Sequence, residues 1–458
     1  MKNMAKNNTI QPEPASGFRD YLPQEMLARQ KMLNIIEQTY QKFGFLPLDT
    51  PCLEKEEILT GGDENFKMQL YRAGLRNSND KLALRFDLTV PLARVIASSQ
   101  GEISLPFKRY QIGKVWRGER PQAGRFREFV QFDADIVGTK SLMADAEIIA
   151  LMYETLTNLG FSNFLIQINN RKILNGLAEY VGYPEEKNAE VIRTLDKLDK
   201  IGWADVKKLL SGEAQSEDEN KKLTLNEKQV QAIKNIVDIN DKDSFKVLEK
   251  VKSLMKNSAI AQEGIQELEI LIGHLEALGV PKDKWVVDLS IARGLGYYTG
   301  PVFETILTDM PQLGNVFSGG RYDGLVNRFM AKSIPATGTS IGVDRLFVAV
   351  KEMNLIKTQK IVSKVLLLNI EAAAESKIQE LVTKIRQAGI EAEIYFGNEK
   401  TLKGQLSYAV KNEFPVVLII GASELKDETI QIKNIQTREQ INIKEDDLIS
   451  KIKEIVGV

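Results

Sequence analysis

The spacing of hydrophobic and polar positions changes several times along the chain, and each spacing predicts a different element. Apolar residues recur at helical intervals over residues 21–43, which predicts an amphipathic helix. Pro47 and Pro51 exclude a helix interior from the next segment, so an extended stretch follows. Residues 81–90 alternate apolar and polar side chains, which is typical of a strand.

Two longer strand candidates come next and face each other across a short polar loop. They are PFKRYQIGKVWRG at residues 106–118 and RFREFVQFDADIVG at residues 125–138, joined by ERPQAG. Strand patterns separated by a short polar loop predict a long antiparallel hairpin with arginine and glutamate near its tip.

The middle of the chain has a helical pattern. Residues 141–160 and 171–281 are predicted to be largely helical. Residues 183–270 are rich in lysine, glutamate and aspartate and contain no compact chemical motif, so we interpret them as a helical insertion with solvated faces. Strand character returns at residues 284–293 and 301–309.

A helix is then predicted near residues 342–353 and an exposed connector at 355–363, before a C-terminal domain. In that domain VLLLNI, EAEIYF and PVVLII alternate with amphipathic helices, which predicts a small open α/β sheet. The expected organisation is a disordered tail (1–16), a core in two pieces (17–171 and 285–352), a helical insertion (172–284), a linker (353–363) and a C-terminal domain (364–458).

Composition narrows the class of protein. With 458 residues the chain is long enough for two or three domains, and 43% hydrophobic with 27% charged residues is typical of a soluble globular protein. Cys52 is the only cysteine, so the chain can form no internal disulfide and no multi-cysteine zinc site. We see neither the apolar core of a signal peptide nor an apolar run of about 18 residues, and we expect a cytoplasmic protein.

Charge is balanced overall but concentrated locally. A net charge of −1 is not typical of a general nucleic-acid binder. Residues 101–130, however, carry seven lysines and arginines against three glutamates. Such a local concentration of arginine suits recognition of phosphate at one place.

Several catalytic designs are excluded by what the sequence lacks. It contains no GxxxxGK[ST] loop, so use of ATP would follow another design. His274 is the only histidine, which excludes a Ser-His-Asp triad elsewhere and any two-histidine metal site. Its helical context, LIGHLEAL, favours a structural or solvent-facing role. The chemistry that remains belongs to arginine, carboxylate and tyrosine.

The predicted hairpin carries such groups on one face. Arg117 and Glu119 are two residues apart on the first strand, and Arg125, Arg127 and Phe129 repeat this period on the second. Arginines could bind phosphate oxygens while phenylalanine stacks on adenine. An exposed ladder of ion pairs across two strands explains the same pattern. The hairpin alone does not distinguish a nucleotide-binding face from an exposed ladder of ion pairs.

Taken together, the segments resemble a known family. Trp116, Arg117, Glu119, Arg125 and Phe129 are similar to motif 2 of class II aminoacyl-tRNA synthetases. The segment GTSIGVDRLFVAV, with Arg345, resembles motif 3, and the segment that ends at Pro51 resembles motif 1, which builds the dimer interface in that class. ARGLGYYTGPVFE and SGGRYDGL resemble the histidine-specific motifs of the histidyl-tRNA synthetases. The resemblance covers nearly all of residues 17–458.

This resemblance implies an α+β fold: an antiparallel-sheet catalytic domain of class II type with a helical insertion, followed by an α/β anticodon-binding domain. It implies a homodimeric histidine–tRNA ligase that activates L-histidine with ATP and then transfers histidine to the 3′ end of its tRNA. Mg²⁺ would accompany the triphosphate, without a tightly bound protein metal. The implied partners are L-histidine, ATP, and the acceptor stem and anticodon of tRNA(His).

The resemblance also implies residue roles. Arg117, Arg293 and Arg345 would be catalytic, with Arg293 near the α-phosphate where other class II enzymes place a metal. The histidine site would comprise Asp87, Leu88, Thr89, Arg117, Gln131, Asp135, Arg293, Tyr297 and Tyr298. Among these, Asp87, Thr89 and Gln131 would hold the ammonium and backbone, and Asp135 and Tyr298 the two imidazole nitrogens. The ATP site would comprise Arg117, Glu119, Arg125, Phe129 and Arg345, with adenine between Phe129 and Arg345.

The sequence departs from many bacterial family members at two places. Arg85-Phe86-Asp87-Leu88-Thr89 stands where they have Arg-Pro-Glu-Gly-Thr, and Asp135 stands where many have glutamate. The alternative function is a non-catalytic, synthetase-like regulatory subunit of ATP phosphoribosyltransferase. A third is a regulatory module that keeps the fold for protein contact alone. Both predict loss of the nucleotide-binding arginines or of the C-terminal domain, whereas Arg117, Arg293 and Arg345 are present.

Overall fold

The computed structural model describes residues 10–61, 70–77, 79–119, 126–214, 223–292 and 298–457. The tip of the predicted hairpin (120–125), part of the polar turn in the insertion (215–222) and residues 1–9 of the predicted tail lie outside these ranges; residues 10–22 contain no helix or strand. The chain divides into two compact units, one of residues 1–20 with 32–356 and the other of residues 21–31 with 357–458.

On either side of the insertion, strands of two to ten residues occur between helices. In chain order they are α1 (Pro23–Lys42), β1 (Leu46–Pro47), β2 (Leu53–Lys55), α2 (Glu56–Thr60), β3 (Arg72–Ala73), β4 (Leu82–Leu84), α3 (Thr89–Ser98), β5 (Phe107–Trp116), β6 (Glu128–Val137), α4 (Leu142–Asn158) and β7 (Phe164–Asn170). After the insertion come β8 (Trp285–Val287), β9 (Pro301–Leu307), β10 (Asn315–Tyr322), β11 (Ala336–Gly342) and α12 (Val343–Glu352).

An eight-stranded sheet forms the centre of the first unit, in the order β1-β5-β6-β11-β10-β9-β7-β8. The six inner strands are antiparallel, and the two edge strands, β1 and β8, pair in parallel. The predicted hairpin is its longest pair: β5 and β6 are matched from Phe107 with Val137 to Trp116 with Glu128. A second sheet, β2-β4-β3, has three short strands.

The predicted strand over residues 81–90 is correct only at its beginning. Strand β4 ends at Leu84, and helix α3 begins at Thr89. The carboxylate of Asp87 accepts a hydrogen bond from the backbone N–H of Val90 (3.2 Å). This satisfies one of the N–H groups that a helix start leaves without an intrahelical partner, so a capping residue ends the alternation that we read as a strand.

The insertion is helical, as its pattern predicts. It contains α5 (Arg171–Asn175), α6 (Leu177–Val181), α7 (Asn188–Leu195), α8 (Leu198–Ser211), α9 (Glu227–Val237), α10 (Ser244–Leu254) and α11 (Ala259–Ala277). Helix α9 begins with a capping box formed by Asn226 and Gln229. His274 lies in the last turn of α11, in the helical context that its sequence predicts.

The second unit contains a five-stranded sheet in the order β13-β12-β14-β15-β16. Its elements are β12 (Val365–Leu367), α13 (Glu375–Gln387), β13 (Ala392–Ile394), α14 (Leu402–Lys411), β14 (Val416–Ile419), α15 (Ala422–Asp427), β15 (Thr429–Asn434), β16 (Gln440–Lys444) and α16 (Leu448–Val456). The three predicted strands are parallel neighbours. The antiparallel pair β15–β16 was not predicted, because its strands are half exposed and lack an apolar run.

In the part of the chain that the structure describes, none of the helices combines the length and the apolar character that crossing a membrane requires.

Candidate active site

Two cavities adjoin on one face of the eight-stranded sheet. The carboxylate cavity, of about 370 Å³, is lined by Asp87, Thr89, Arg117, Gln131, Asp133, Asp135, Asp196, Tyr298, Val302, Glu304, Ser318, Gly319, Tyr322, Gly338, Thr339 and Ser340. The aromatic cavity, of about 300 Å³, is lined by Arg117, Glu119, Phe126, Phe129, Gln131, Asn315, Val316, Ser318, Ser340, Gly342, Asp344 and Arg345. Arg117, Gln131, Ser318 and Ser340 line both, so a ligand could extend from one cavity into the other.

Arg117 stands at this junction because a buried arginine fixes the segment below it. The guanidinium of Arg85 donates to the carbonyl of Lys114 (2.9 Å) and to the hydroxyl of Thr50 (3.1 Å). These bonds hold residues 85–88 against strand β5. The carbonyl of Phe86 then accepts a hydrogen bond from Nε of Arg117 (3.2 Å). The Arg117 guanidinium, which lines both cavities, is therefore held by a hydrogen bond to a backbone carbonyl and not by an ion pair with any carboxylate described on the opposite strand.

The inner end of the carboxylate cavity is built around Asp135. Nη2 of Arg109, a fully buried side chain, lies 2.7 Å from Oδ2 of Asp135. The hydroxyl of Tyr322 donates to Oδ1 of the same carboxylate. Oδ1 therefore accepts a hydrogen bond, whereas Oδ2 is paired with Arg109 by charge but accepts no hydrogen bond from the described residues. The tyrosine hydroxyl stands beside the carboxylate in the cavity wall.

Two glycines let the strands and side chains around this cavity approach closely. A Cβ atom on Gly338 would lie 2.0 Å from Oδ1 of Asp135, and one on Gly319 would lie 2.2 Å from the carbonyl oxygen of Gly338. Real Cβ atoms do not approach other atoms that closely, so any larger residue would displace the backbone or Asp135. This explains Gly319 of the SGGRYDG segment and Gly338 of the GTSIG segment.

Burial makes the carboxylates weak acids. It raises the pKa of Asp87 from 3.8 to about 6, although the Val90 N–H and Arg117 act in the opposite direction. It raises the pKa of Asp133 to about 7, against the attraction of Arg109. In the aromatic cavity, burial raises the pKa of Asp344 to about 6, even though its Oδ2 accepts the backbone N–H of Val130 at 2.8 Å. A cationic ligand would favour the ionised form of each.

The aromatic cavity brings an aromatic ring and two arginines together. The guanidinium carbon of Arg117 lies 5.1 Å from the centroid of the Phe129 ring. Arg345, in the first turn of α12, donates from Nη1 to the carbonyl of Asn315 (2.5 Å). Glu119 lies at the exposed end of this cavity. A planar base and an anionic group fit this combination of flat and cationic surfaces.

The predicted site residues divide into three groups. The cavities are lined by Asp87, Thr89, Arg117, Glu119, Phe129, Gln131, Asp135, Tyr298 and Arg345. Leu88 is fully buried and lines neither cavity; its carbonyl accepts a hydrogen bond from Nη2 of Arg109 (3.2 Å). Arg125, Arg293 and Tyr297 lie outside the described residues.

The carboxylate cavity is also lined by residues that the sequence analysis did not assign to the site. Asp133 shares the period of two with Gln131 and Asp135, so the pattern could have revealed it. Tyr322 stands in the SGGRYDG segment, but its contact with Asp135 depends on the order of strands in the sheet. Asp196 comes from the insertion, after α7, and no local signal marks it. All three side chains line the carboxylate cavity.

Within SGGRYDG, Arg321 has a structural task instead. Its guanidinium pairs with the buried Asp145 and donates to the carbonyls of Thr139 and Ser141 (3.0 Å each). Strand β10 therefore lines the cavity with Ser318, Gly319 and Tyr322, while its arginine pairs with Asp145 of helix α4.

The comparisons with known proteins agree with this geometry. The family model of histidyl-tRNA synthetase matches residues 17–346, and that of the anticodon binding domain matches residues 364–455. A histidine–tRNA ligase from Clostridium tetani is 40% identical over 454 residues, which is 98% of this chain and 99% of the relative. The crystal structure of histidyl-tRNA synthetase from Nostoc sp. PCC 7120 superposes with a TM-score of 0.82 and 34% identity, over 97% of this chain and 100% of that one.

An antiparallel sheet whose long hairpin and following glycine-rich strand line two joined cavities is the catalytic architecture of class II aminoacyl-tRNA synthetases, and the fold is α+β. Within that class, the chain belongs to the histidyl-tRNA synthetase family. Its activity is that of a histidine–tRNA ligase, an enzyme that joins histidine to tRNA.

The alternative function is not favoured. A Bacillus halodurans structure described as an ATP phosphoribosyltransferase regulatory subunit/histidyl-tRNA synthetase has a TM-score of 0.73 over 90% of this chain and 100% of that one. At 23% identity it shares the fold alone. The nearly full-length relatives at 40% identity are histidine–tRNA ligases.

Proposed function

We propose that the carboxylate cavity binds L-histidine, that the aromatic cavity binds ATP, and that Arg117 joins the two substrates. The observation that carries this proposal is the position of Arg117 in the walls of both cavities. One guanidinium there can contact the amino-acid carboxylate and the α-phosphate of ATP together, as the reaction between these two groups requires.

In the histidine site, Asp87, Thr89 and Gln131 hold the ammonium and backbone of the substrate. Asp135 and Tyr298 meet the imidazole, Leu88 contributes through its backbone, and the resemblance to the family assigns Tyr297 to the same site. Burial of the Asp87 and Asp135 side chains supports these roles, because hydrogen bonds to buried carboxylates are strong. A site that satisfies both nitrogens of a neutral imidazole discriminates strongly against substitutes that lack them.

In the ATP site, adenine lies between Phe129 and Arg345, and Glu119 reads its amino group. Arg125 meets the outer phosphates, and Arg293 approaches the α-phosphate. The half-buried ring of Phe129 and the guanidinium of Arg345 line the same cavity, which supports the stacking of a flat base between them.

Adenylation needs no general base in this site. The carboxylate of the amino acid is already ionised at pH 7. The side chains hold carboxylate and α-phosphate in line, and the arginines balance charge as the carboxylate oxygen bonds to phosphorus and pyrophosphate leaves. In the transfer step the ribose hydroxyl of the tRNA attacks the histidyl carbonyl, and a phosphate oxygen of the adenylate accepts its proton as AMP leaves.

Members of the family use ATP, typically with Mg²⁺, and Mg²⁺ would arrive on the triphosphate and neutralise part of its charge. Among the described residues, no group of three or more histidine, cysteine, aspartate or glutamate side chains gathers to hold a metal. We therefore assign no residue of this chain as a resident metal ligand and derive no step through one.

The two units divide the contacts with tRNA. The acceptor end enters the catalytic core, and the domain at residues 364–458 binds the anticodon. Within that domain a groove of about 840 Å³ is lined by four basic side chains. Lys403 and Lys411 come from α14, Lys433 comes from β15, and Arg438 comes from the segment between β15 and β16. The Phe396 side chain is 84% exposed in the same unit. Cationic side chains and an exposed aromatic suit single-stranded bases.

The protein acts as a homodimer in the cytoplasm. Leu46 in the edge strand β1 is 59% exposed, and Leu53 and Leu105 are also exposed. An exposed apolar edge strand is a surface that a second chain can cover. Sedimentation velocity of the full chain tests the assembly: a dimer is expected, and a monomer at micromolar concentration contradicts it.

Exchange of labelled pyrophosphate into ATP tests the proposed site. The wild type should exchange only when histidine is present, and Arg117→Lys should lose at least about 100-fold in rate, because a lysine cannot contact both substrates as a guanidinium can. Arg293→His should lose exchange while it still binds histidine. A variant Arg117→Lys that retains most of the rate would show that Arg117 does not join the substrates.

A further inference from the structure

Several buried acceptor atoms in the wall of the carboxylate cavity accept no hydrogen bond, and three of them belong to residues that form no ion pair or hydrogen bond with a basic side chain in the described part of the chain. These three are Oδ2 of Asp87, Oε1 of Gln131 and Oδ1 of Asp133. Each side chain is less than a tenth exposed. A buried polar atom without a partner destabilises the folded protein, so such a group in a cavity wall points to a ligand that completes it.

The three residues surround a common point of the wall. Gln131 and Asp133 stand two apart on strand β6 and therefore face the same side. Both contact Ser340, which is paired opposite Asp133 on strand β11. Asp87 is near enough to Asp133 to repel it electrostatically.

The orientation of the Gln131 amide follows from Ser340. Nε2 of Gln131 donates to the Ser340 hydroxyl oxygen at 2.8 Å, and the Ser340 hydroxyl lowers the pKa of the neighbouring Asp133, against the larger effect of burial. The amide oxygen must then face the cavity, which leaves three acceptors and no donor among these atoms.

We infer that Asp133, together with Asp87 and Gln131, binds the α-ammonium group of the amino-acid substrate, with one acceptor for each of its three N–H bonds. This inference rests on the proposed histidine site. It adds Asp133 as a specificity-determining residue and leaves Asp135, which is paired with Arg109 and accepts from Tyr322, to the imidazole.

Charge favours the same assignment. Arg109 attracts the Asp133 carboxylate from strand β5, but Nε and Nη1 of Arg109 form no hydrogen bond. Among the described residues, the ionisable groups that face Asp133 or share its cavity are Arg109, Arg117, Asp87, Asp135, Tyr298, Tyr322, Glu304, Asp196 and, from helix α1, Tyr40. Carboxylates outnumber guanidinium groups in that set, so a cation completes the site and an additional anion does not.

Two truncated analogues of histidine separate the ammonium from the imidazole. Histidinol keeps the ammonium and imidazole but lacks the carboxylate, and 3-(imidazol-4-yl)propionate lacks the ammonium. Their dissociation constants are measured by calorimetry for wild type, Asp133→Asn and the matched control Asp309→Asn. Asp309 is a solvent-exposed residue that accepts hydrogen bonds from Asn163.

Asp133→Asn should weaken histidinol about 10- to 100-fold, the range for a hydrogen bond to a charged group. It should change the binding of imidazolepropionate less than about twofold, because that analogue has no ammonium group for Asp133 to bind. In pyrophosphate exchange the KM for histidine should rise at least about tenfold, while the KM for ATP stays within about twofold. Asp309→Asn should resemble wild type in every measurement.

Equal weakening of the two analogues would mean that Asp133 contacts the imidazole, and unchanged binding of both would mean that it contacts neither; each outcome overturns the inference. Asparagine removes a buried charge, so we expect the variant to fold, and Asp133→Ser serves for the same comparison if it does not. Histidine-dependent exchange by the wild type tests the proposed function separately. Exchange with unchanged histidinol binding in Asp133→Asn rejects this inference alone.

Discussion

Adding one methyl group at Gly338 should damage the histidine site selectively. The new Cβ would lie 2.0 Å from Oδ1 of Asp135, 2.6 Å from its Cγ and 2.7 Å from the carbonyl oxygen of Ala134. Asp135 cannot simply rotate away, because Tyr322 donates a hydrogen bond to one of its oxygens and Arg109 is paired with the other by charge. The backbone of β6 or β11 must therefore shift.

The magnitude follows from the cost of overpacking. Forcing one extra methyl group into a packed region costs about 1–3 kcal/mol, so we expect Gly338→Ala to lower the free energy of unfolding by that amount. Displacement of Asp135 also weakens its hydrogen bond to the substrate, and each 1.4 kcal/mol of binding free energy corresponds to about tenfold in affinity. The KM for histidine should therefore rise by at least about tenfold.

The assays are urea denaturation and pyrophosphate exchange at varied histidine and varied ATP. Gly273→Ala is the matched control, because no atom lies within 4 Å of its added Cβ, in the exposed part of helix α11. Alanine should leave its activity unchanged and add about 0.5–1 kcal/mol of stability. An unchanged KM for histidine in Gly338→Ala would refute the assignment of Asp135 to the histidine site.

Three further outcomes are expected. Phe129→Ala should raise the KM for ATP about tenfold, since a stacked base loses about 1–3 kcal/mol, and leave the KM for histidine unchanged; equal effects on both would contradict separate cavities. Asp145→Asn leaves the buried Arg321 with only the more distant carboxylate of Asp323 (3.6 Å) among the described residues and should lower the unfolding free energy by about 3 kcal/mol in urea; a decrease of less than about 1 kcal/mol would contradict this. Because burial raises the pKa of Asp133 from 3.8 to about 7, the ligand-free folded protein binds a proton that the unfolded chain releases, so its stability should fall as the pH rises from about 4 to 7. The Asp133→Asn variant should lose less stability across that interval, and identical pH profiles would contradict the cause.

The local pattern of the sequence predicted the central hairpin well, and the reason is physical. Strands β5 and β6 are neighbours along the chain, their alternation is long, and their polar residues share one face. The helical insertion and the parallel strands of the C-terminal sheet likewise follow from periodicity within single elements. Roles for individual residues came from the resemblance to the family, not from periodicity.

Contacts between distant elements could not be predicted in this way. Asp135 on β6 contacts Arg109 on the neighbouring strand β5. It also contacts Tyr322 on β10, which is 187 residues further along the chain. Asp196 reaches the cavity from the insertion, whose composition predicts helices with solvated faces and no binding site. The early end of β4 was missed because one side-chain cap outweighs a short alternating pattern.

The proposed function depends most on the continuity of the two cavities at Arg117. A non-hydrolysable histidyl-adenylate analogue would occupy both, so calorimetry should find that the wild type binds it at least about 1,000-fold more tightly than histidine alone. Arg117→Ala should weaken the analogue by more than it weakens either histidine or ATP measured separately. An analogue that binds no more tightly than histidine would contradict a single active site formed by the carboxylate and aromatic cavities.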